Sequence, residues 1–344
     1  MSKISVLIAG IGGASLGTEI FKCLKMLGRY TIYGCDISEF AYGHYIDGFE
    51  KTFVVKRENY VDSVREICLS YGIKVIIPGG EEPLNILGPL SSDFEKLGIY
   101  IAANSAEVIT KCANKSILFM KLEELGIPIP KTIAFGKSDD IDRIDNIPFP
   151  CVIKPAIGTG GSHLVSLAED PDEARIYLKR ILMNCGKALI QEYIPLDEGE
   201  FTVGVLSFQD GSIAGSIAMK RLFHTKLSIS IKTKTGLISS GYSQGLIDDF
   251  PEVQAQAERI AKALESKGPL NIQGRVRNNI FYPFEINPRF SASTYLRAMA
   301  GFNEIDIYIR YILMKEKSDK PQIRFGYYLR SLDEIYVPKD GLKQ

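Results

Sequence analysis

Short apolar runs alternate with helical patterns along the first third of the chain. The runs that predict buried strands are residues 6–9, 30–34, 53–55, 74–78 and 97–102. Between them apolar residues recur at helical spacing, as at Ile20, Leu24 and Leu27 before Gly28. This alternation predicts an α/β domain with a doubly wound parallel sheet and right-handed crossovers.

The pattern changes in the middle of the chain. Strand-like runs at 151–154, 188–194, 200–206 and 212–219 predict an antiparallel, hairpin-rich α+β region. Asp170 followed by Pro171, with Glu173 three positions after Asp170, predicts a helix start. A polar stretch at 224–234 predicts a loop or short hairpin over a site, and the alternation near residues 325–330 predicts an added strand.

Composition narrows the class of protein. A length of 344 residues suits two or three domains, and 45% hydrophobic with 24% charged residues is ordinary for a globular protein. Lys+Arg and Asp+Glu number 41 each, so net charge gives no support for a nucleic-acid or membrane partner. Six scattered cysteines without a C-x-x-C pair argue against zinc and disulfides. A cytoplasmic location is expected.

Two interpretations fit the glycines that follow the first strand. The glycines at 10–17 with Asp36 after the next strand resemble a dinucleotide-binding unit, which predicts an NAD(P)-dependent oxidoreductase. Their spacing is G-x-G-G-x-x-x-G rather than G-x-G-x-x-G, which favours a tight strand-to-helix turn without a ligand. Residues 79–82 also follow a strand and could hold a substrate with an amino group.

A lysine and a glycine-dense loop form a second candidate site. Lys154 ends an apolar strand, and residues 158–162 follow it. Such a loop exposes backbone N–H groups to phosphate oxygens, while the lysine adds a point charge. The loop lacks the G-K-[ST] of a Walker motif, and a hairpin turn with a surface lysine is the alternative.

The stretch 284–293 carries the third candidate site. Glu285 and Asn287 alternate on one predicted strand, so both side chains point the same way. Both offer hard oxygen atoms, which suit Mg²⁺ rather than zinc. Arg289 then places a permanent cation beside them, suited to a phosphate. A surface strand with a Glu285–Arg289 salt bridge is the alternative.

The order of these parts resembles the ATP-grasp superfamily, in its carboxylate–amine ligase and carbamoyl-phosphate-synthase-like branch, over about residues 3–315. Four segments carry the resemblance together, and each alone is weak. They are Asn114-Lys115 with 125–130, then 152–155 with 158–162, then 190–194 with Glu200, and 271–273 with 285–289.

The resemblance implies a Rossmann-like domain at 1–113, followed by an ATP-grasp fold with a small lid subdomain at 114–190 and a C-terminal subdomain at 191–344. It implies ATP and Mg²⁺ as cofactors, with Mn²⁺ as an alternative metal. The implied nucleotide-binding residues are Lys115, Ile153, Lys154, Gly158, Gly160, Gly161, Ser162, Glu192, Tyr193, Ile194 and Glu200. The implied metal ligands are Gln273, Glu285 and Asn287, and the implied catalytic residues are Arg289, Lys154 and Asn287.

The implied roles differ within this set. The two lysines would hold phosphates, the backbone at Tyr193 and Ile194 would recognise adenine, and Glu200 would bind the ribose. Two departures stand out: Gln273 replaces a frequent acid at the first metal position, and residues 290–293 lack the usual glycine. In this family the first domain is not a dinucleotide site, which again favours the tight turn at 10–17.

The implied function is an ATP-dependent ligase that activates a small carboxylate as an acyl phosphate and couples it to an amine. Carbamoyl-phosphate-synthase-like kinase chemistry is a near alternative, although the chain carries one copy of each motif. An NAD(P)-dependent oxidoreductase and a non-catalytic ATP-binding protein are alternatives of other classes. The expected partners are small substrates, with a homodimer as one assembly and no nucleic acid or membrane.

Overall fold

The computed structural model describes residues 3–13, 16–157, 164–317 and 321–343. Its first sheet is fully parallel in the order β3-β2-β1-β4-β5. The strands are β1 Ile4–Ala9, β2 Tyr30–Asp36, β3 Lys51–Val54, β4 Val75–Pro78 and β5 Tyr100–Ile101. The helices between and after them are α1 Leu16–Lys25, α2 Tyr60–Ser70, α3 Glu81–Leu87, α4 Ser91–Glu95 and α5 Ala106–Ala113. The predicted doubly wound parallel sheet is confirmed.

A small antiparallel sheet follows, in the order β6-β9-β7-β8. Its parts, with the helix α6 that precedes them, are α6 Lys115–Glu124, β6 Thr132–Gly136, β7 Cys151–Pro155, β8 Ser166–Ala168, α7 Pro171–Cys185 and β9 Lys187–Glu192. The Asp170 carboxylate accepts bonds from the N–H groups of Asp172 and Glu173, both at 2.9 Å. Asp170 therefore caps α7 as its sequence predicts.

The third sheet is antiparallel in the order β16-β15-β10-β11-β14-β17, and β12 pairs with β13 as a separate hairpin. The strands are β10 Glu200–Ser207, β11 Ile213–Arg221, β12 Ile229–Lys232, β13 Leu237–Ser239, β14 Gly245–Ile247, β15 Pro269–Arg277, β16 Ile280–Asn287 and β17 Gly326–Tyr328. The helices are α8 Pro251–Ala263, α9 Thr294–Met299 and α10 Glu304–Met314. Both the predicted hairpin near residue 230 and the added strand near residue 327 are present.

One hydrophobic core joins the first domain to the third sheet. Apolar residues of β1 and α1 pack in the same cluster as those of α9 and α10. The Tyr30 hydroxyl also donates to Asp306 at 2.6 Å across this contact. The carboxyl ends of β1 and β4 are thereby fixed against the loop that follows β16.

Helix α6 packs in a core that it shares with α8 and with one residue of the small sheet, Leu189 of β9. Its residues Leu118, Phe119 and Leu122 share a core with Ile260 and Ala261 of α8. The small sheet has its own core, which begins at β6 and includes α7. The expected lid subdomain at 114–190 therefore divides between two cores, and its separately packed part starts near Thr132. No described helix is long and apolar enough to cross a membrane.

Candidate active site

A cavity of about 610 Å³ lies where the three larger sheets meet. Its wall includes the end of β4, the strand β7, the segment after β9, the segment after β13 and the paired strands β15 and β16. Eight of the residues predicted for the site line it: Lys115, Lys154, Glu192, Tyr193, Ile194, Gln273, Glu285 and Arg289. The cavity thus brings together motifs from both ATP-grasp subdomains.

Alternation along β7 decides which of its residues reach the cavity. Val152 and Lys154 line it, whereas Ile153 is fully buried in the core of the small sheet. The Ile153 side chain therefore faces away from the cavity, and the nucleotide-binding role expected for Ile153 stays a prediction. Lys154 Nζ donates to the Phe284 carbonyl at 2.7 Å, which ties β7 to β16.

The Lys154 ammonium group is almost completely enclosed. Burial, together with the charge of Lys115, lowers the pKa of Lys154 from 10.5 to about 7, while Glu285 opposes the shift. An amine held without a close carboxylate gains a strong preference for an anionic ligand. Lys115 opens α6 beside it, behind the Asn114 cap. Two lysines thus face one part of the cavity.

The predicted phosphate loop, residues 158–162, lies outside the residues that the structure describes. It includes the predicted site residues Gly158, Gly160, Gly161 and Ser162. Their role in holding phosphate stays a prediction.

The segment after β9 is held by contacts on several sides. Glu192 pairs with Arg277 through one oxygen and accepts from the Lys131 N–H at 3.2 Å through the other. The Tyr193 N–H donates to the Pro150 carbonyl at 3.2 Å, and the Tyr193 hydroxyl accepts from the Leu237 N–H at 2.8 Å. This segment forms a fixed end of the cavity.

Glu200 does not reach the cavity. Its side chain is fully buried, and its two oxygens accept from Arg221 at 3.2 Å and from Arg275 at 2.9 Å. Arg275 in turn donates to the Ile194 carbonyl at 2.8 Å. In this geometry the expected ribose-binding role of Glu200 is not supported, because both of its oxygens orient arginines under the cavity wall.

The candidate metal ligands cluster across two paired strands. Gln273 and Glu285 are direct partners in the β15–β16 register. The Gln273 amide donates to Glu285 at 3.3 Å, and the Asn287 amide donates to the other Glu285 oxygen at 3.1 Å. Asn287 lies beside the cavity rather than on its lining. In the described part of the chain no three His, Cys, Asp or Glu residues group as metal ligands.

Arg289 lies at the other end of the cavity. The Arg289 guanidinium pairs with Glu81 at 2.8 Å, and the Arg289 backbone N–H donates to the Asn287 carbonyl at 2.9 Å. Glu81 follows Gly79 and Gly80, and all three line the cavity. The alternative salt bridge between Glu285 and Arg289 is therefore replaced by an ion pair to the first domain.

Sequence reasoning missed the wall formed by residues 239–243. All five line the cavity, and the carbonyls of Ser240 and Tyr242 accept from Arg221 Nη2 at 2.9 and 3.1 Å. This segment carries neither a motif nor a hydrophobic period. A buried arginine on a neighbouring strand sets its position, and sequence spacing does not reveal that contact.

The glycine turn after β1 is closed by protein. A Cβ at Gly17 would lie 1.9 Å from the Gly10 carbonyl oxygen, and one at Gly13 would lie 2.8 Å from Tyr42. The Asp36 carboxylate accepts from the N–H groups of Ile11 at 2.8 Å and Ser38 at 3.0 Å. The glycines and the acid therefore build a tight turn, as the second interpretation predicts.

Comparisons with known proteins agree with this architecture. Residues 185–335 match the family model described as ATP-grasp in the biosynthetic pathway with Ter operon. The chain is 27% identical over 216 residues to the C-terminal section of the carbamoyl phosphate synthase large chain from Aquifex aeolicus, covering 62% of this chain and 38% of that protein. The chain thus spans well under half of that relative.

Solved structures share the fold at low sequence identity. D-alanine–D-alanine ligase from Bacillus anthracis complexed with ATP gives a TM-score of 0.59 at 19% identity, covering 90% of this chain and 97% of that one. The biotin carboxylase domain of Hydrogenobacter thermophilus 2-oxoglutarate carboxylase gives 0.69 at 17%, covering 95% and 74%. The predicted fold class is confirmed, and the family-model match over residues 185–335 agrees with the resemblance to the ATP-grasp superfamily.

Proposed function

We propose that this chain is an ATP- and Mg²⁺-dependent ligase that activates a small carboxylate as an acyl phosphate and joins it to an amine. One observation carries the proposal: Lys154 of β7 lines the same cavity as Glu285 and Arg289, which come from the distant stretch 284–293. Charge stabilisation and positioning are what phosphoryl transfer asks of a protein. The ATP-grasp architecture of the relatives supports the same reaction class.

The nucleotide would lie between the segment after β9 and the two lysines. The Tyr193 N–H and the Ile194 carbonyl already bond within the protein, so the Tyr193 carbonyl and the Ile194 N–H are left to recognise a purine edge. Lys115 and Lys154 would face the phosphates. A phosphate beside Lys154 would compensate the cost of burying its charge.

The donor set around Glu285 fits Mg²⁺ that arrives with nucleotide phosphates. One carboxylate with two amide side chains, Gln273 and Asn287, offers oxygen atoms and no sulfur or imidazole. Mg²⁺ is commonly held by one or two carboxylates together with phosphate oxygens and water. When bound there, the ion would supply charge neutralisation to the transferring phosphoryl group.

The chemistry would proceed at the Arg289 end. Here a substrate carboxylate attacks the γ-phosphorus, the bond to the ADP oxygen breaks, and an acyl phosphate forms. Arg289 would bind the phosphoryl and carboxyl oxygens and hold them in line. An amine then attacks the acyl carbon, inorganic phosphate leaves, and the amine loses a proton.

The first domain would contribute to the amine side. Gly79, Gly80 and Glu81 line the cavity next to Arg289. A carboxylate at this position would attract an ammonium group and orient it towards the acyl carbon. Carbamoyl-phosphate-synthase-like chemistry would use the same phosphoryl site without an organic amine.

A substrate screen scored by ADP and phosphate release tests this function. Mg-ATP is incubated with panels of small acids and amines, first separately and then in pairs. Release that requires both a carboxylate and an amine is expected, and it should disappear in Lys154→Ala but remain in Lys187→Ala. Lys187 is an exposed lysine on the same small sheet, so it controls for charge alone.

Other outcomes separate the alternative functions. ATP binding without release across the panel would favour a non-catalytic nucleotide sensor. Release with bicarbonate and ammonia alone would favour the carbamoyl-phosphate-like reaction. NADH binding without ATP binding would overturn the proposal.

A further inference from the structure

Around the C-terminal strand β17, several apolar side chains point to solvent, whereas one arginine side chain is buried. Phe325, Tyr327 and Leu329 point outwards and are 54%, 69% and 69% exposed. Tyr328 and Arg330 point inwards, and the Arg330 side chain is only 6% exposed. Placing apolar residues in water and a guanidinium inside is costly unless the charge is well paired.

Arg330 makes three contacts that join separate parts of the chain. Its Nη2 donates to Glu19 of α1 at 3.0 Å and also to the Ala292 carbonyl. Its backbone N–H donates to the Gln244 side chain at 3.4 Å. Gly245 pairs with Tyr328 in the β14–β17 register, and this pairing fixes the position of the backbone from which the Arg330 side chain extends.

Each contact adjoins a wall of the cavity. Ala292 itself lines it, three residues after Arg289. Leu16, one helical turn before Glu19, lines it from the first domain, and Ser243 lines it immediately before Gln244. The Arg330 guanidinium therefore connects two wall segments on the Arg289 side, those of Leu16 and Ala292, and the Arg330 backbone N–H connects the third, that of Ser243.

The electrostatics favour a positioning role over general stabilisation. Burial lowers the pKa of Arg221, and the charges of Arg275 and Arg330 add to that lowering, while Glu200 and Glu285 oppose it. The Arg330 Nε atom has no hydrogen-bond partner in the part of the chain that the structure describes. An arginine that repels a neighbouring cation and leaves a donor unpaired is an expensive way to anchor a strand.

We infer that Arg330 is a positioning residue that holds the loop of Arg289, through the Ala292 carbonyl, at a fixed distance from helix α1. The fixed loop keeps the Arg289 guanidinium directed at the reacting oxygens. The catalytic consequence depends on the proposed function, whereas the mechanical link between loop, helix and tail does not. Through Arg330, the C-terminal segment thus contacts the loop that forms part of the cavity wall.

Hydrogen exchange on the full chain tests the mechanical link. Arg330→Gln should accelerate amide exchange in peptides covering 289–293 and 16–25 by about tenfold, with peptides of β7 and β9 unchanged. Arg330→Lys, which keeps the charge and one donor, should restore part of the protection. Arg324→Gln is the matched control, because Arg324 lies in the same segment and its exposed side chain donates to the Met299 carbonyl.

Phosphate affinity tests the consequence for Arg289. Inorganic phosphate is titrated into each variant saturated with Mg-ADP, well below its thermal midpoint. Arg330→Gln should weaken phosphate binding about tenfold and leave Mg-ADP affinity within about twofold, with Arg330→Lys intermediate. A purely structural role would lower the midpoint without changing phosphate affinity.

The outcomes distinguish this inference from the proposed function. Unchanged exchange and unchanged phosphate affinity in Arg330→Gln would overturn the inference while the function stands. Absence of Mg-ADP binding in the wild type would overturn the function, and the exchange result would still decide the link. If Arg330→Gln does not fold, Arg330→Lys decides: full protection and full affinity there would show that charge alone suffices and would refute positioning through the paired donors.

Discussion

Two strand ends in this chain carry glycines and acids typical of nucleotide sites, and the structure treats them differently. At the end of β1 the described backbone approaches its neighbours closely, because a Cβ at Gly17 would meet the Gly10 carbonyl and one at Gly13 would meet Tyr42. At the ends of β7 and β16, a cavity of about 610 Å³ stays open. Glycine spacing therefore indicates where two backbone segments approach closely. The chemistry of a site depends instead on which charged groups face a cavity.

The charged groups show the same difference. Both carboxylate oxygens of Asp36 accept hydrogen bonds from backbone N–H groups of the neighbouring turn. Lys154 is buried, donates to the Phe284 carbonyl among the described residues, and has its pKa lowered to about 7, chiefly by burial. A charged group that is buried without full compensation of its lost hydration is a better sign of a ligand site than a sequence motif is.

Replacing Glu285 should cause the largest effect, because it acts at the open site. Glu285→Gln removes the carboxylate that both amides contact. Turnover, measured as coupled ADP release, should fall by about a thousandfold, while the free energy of unfolding changes by less than about 1 kcal/mol. Loss of Mg²⁺-dependent nucleotide affinity should accompany it.

Glu82→Gln is the control for that substitution. Glu82 is half exposed and pairs with Arg57 away from the cavity wall. Near-full activity in Glu285→Gln, or equal loss in Glu82→Gln, would show that the metal assignment is wrong.

Replacing Gly79 should instead damage the closed turn. A Cβ at Gly79 would lie 1.9 Å from the Gly10 carbonyl oxygen, whereas one at Gly80 would lie 3.6 Å from its nearest neighbour, on Pro83. Gly79→Ala should lower the free energy of unfolding by about 3 kcal/mol, and Gly80→Ala by less than about 1 kcal/mol. Urea unfolding of both variants measures this difference. Similar values would mean that the close approach of Gly79 to the Gly10 carbonyl does not limit the side chain at position 79.

Lys154 makes the open site dependent on pH. Its pKa is about 7 in the folded chain and near 10.5 in the unfolded chain, so between these values the unfolded chain binds the extra proton. The free energy of unfolding of the empty protein should therefore rise with pH from about 7 to 10.5 and receive no slope from Lys154 below 7. Lys154→Met should lack this slope.

Nucleotide should reverse that preference. Phosphate beside Lys154 favours the charged form, so Mg-ADP binding at pH 8.5 should take up close to one proton. Calorimetry in two buffers of different ionisation enthalpy measures the uptake. Lys154→Met should show none and bind Mg-ADP about thirtyfold more weakly. Equal proton uptake in the variant would assign the effect to another group.

The sequence predicts the parts of this molecule that depend on local pattern. The parallel sheet, the Asp170 cap, the face shared by Gln273 and Glu285, and the Lys154 position all follow from period and spacing. The pairing of Glu81 with Arg289, the burial of Glu200 and the reach of Arg330 do not. Each joins residues more than 20 positions apart, and one sequence contains no signal for such contacts.

Ile153 shows a limit of transferring roles by motif. Ile153 precedes Lys154 on β7, but successive side chains of a strand point to opposite faces. The Ile153 side chain therefore lies in the core of the small sheet rather than in the cavity. The motif locates the strand, and the pleat decides which side chains can touch a ligand. A role assigned to a strand residue therefore needs its facing direction as well as its position.

The smallest effect is expected from replacing Asp36, the acid that accepts hydrogen bonds from the turn after β1. Asp36→Asn keeps one acceptor oxygen but loses the charge that holds the N–H groups of Ile11 and Ser38. The free energy of unfolding should fall by about 1 kcal/mol, Mg-ADP affinity should stay unchanged, and neither protein should bind NADH. Urea unfolding and NADH fluorescence titration measure these quantities. NADH binding by the wild type that Asp36→Asn abolishes would reopen the turn as a ligand site, because only a carboxylate facing a ribose explains that pair of results.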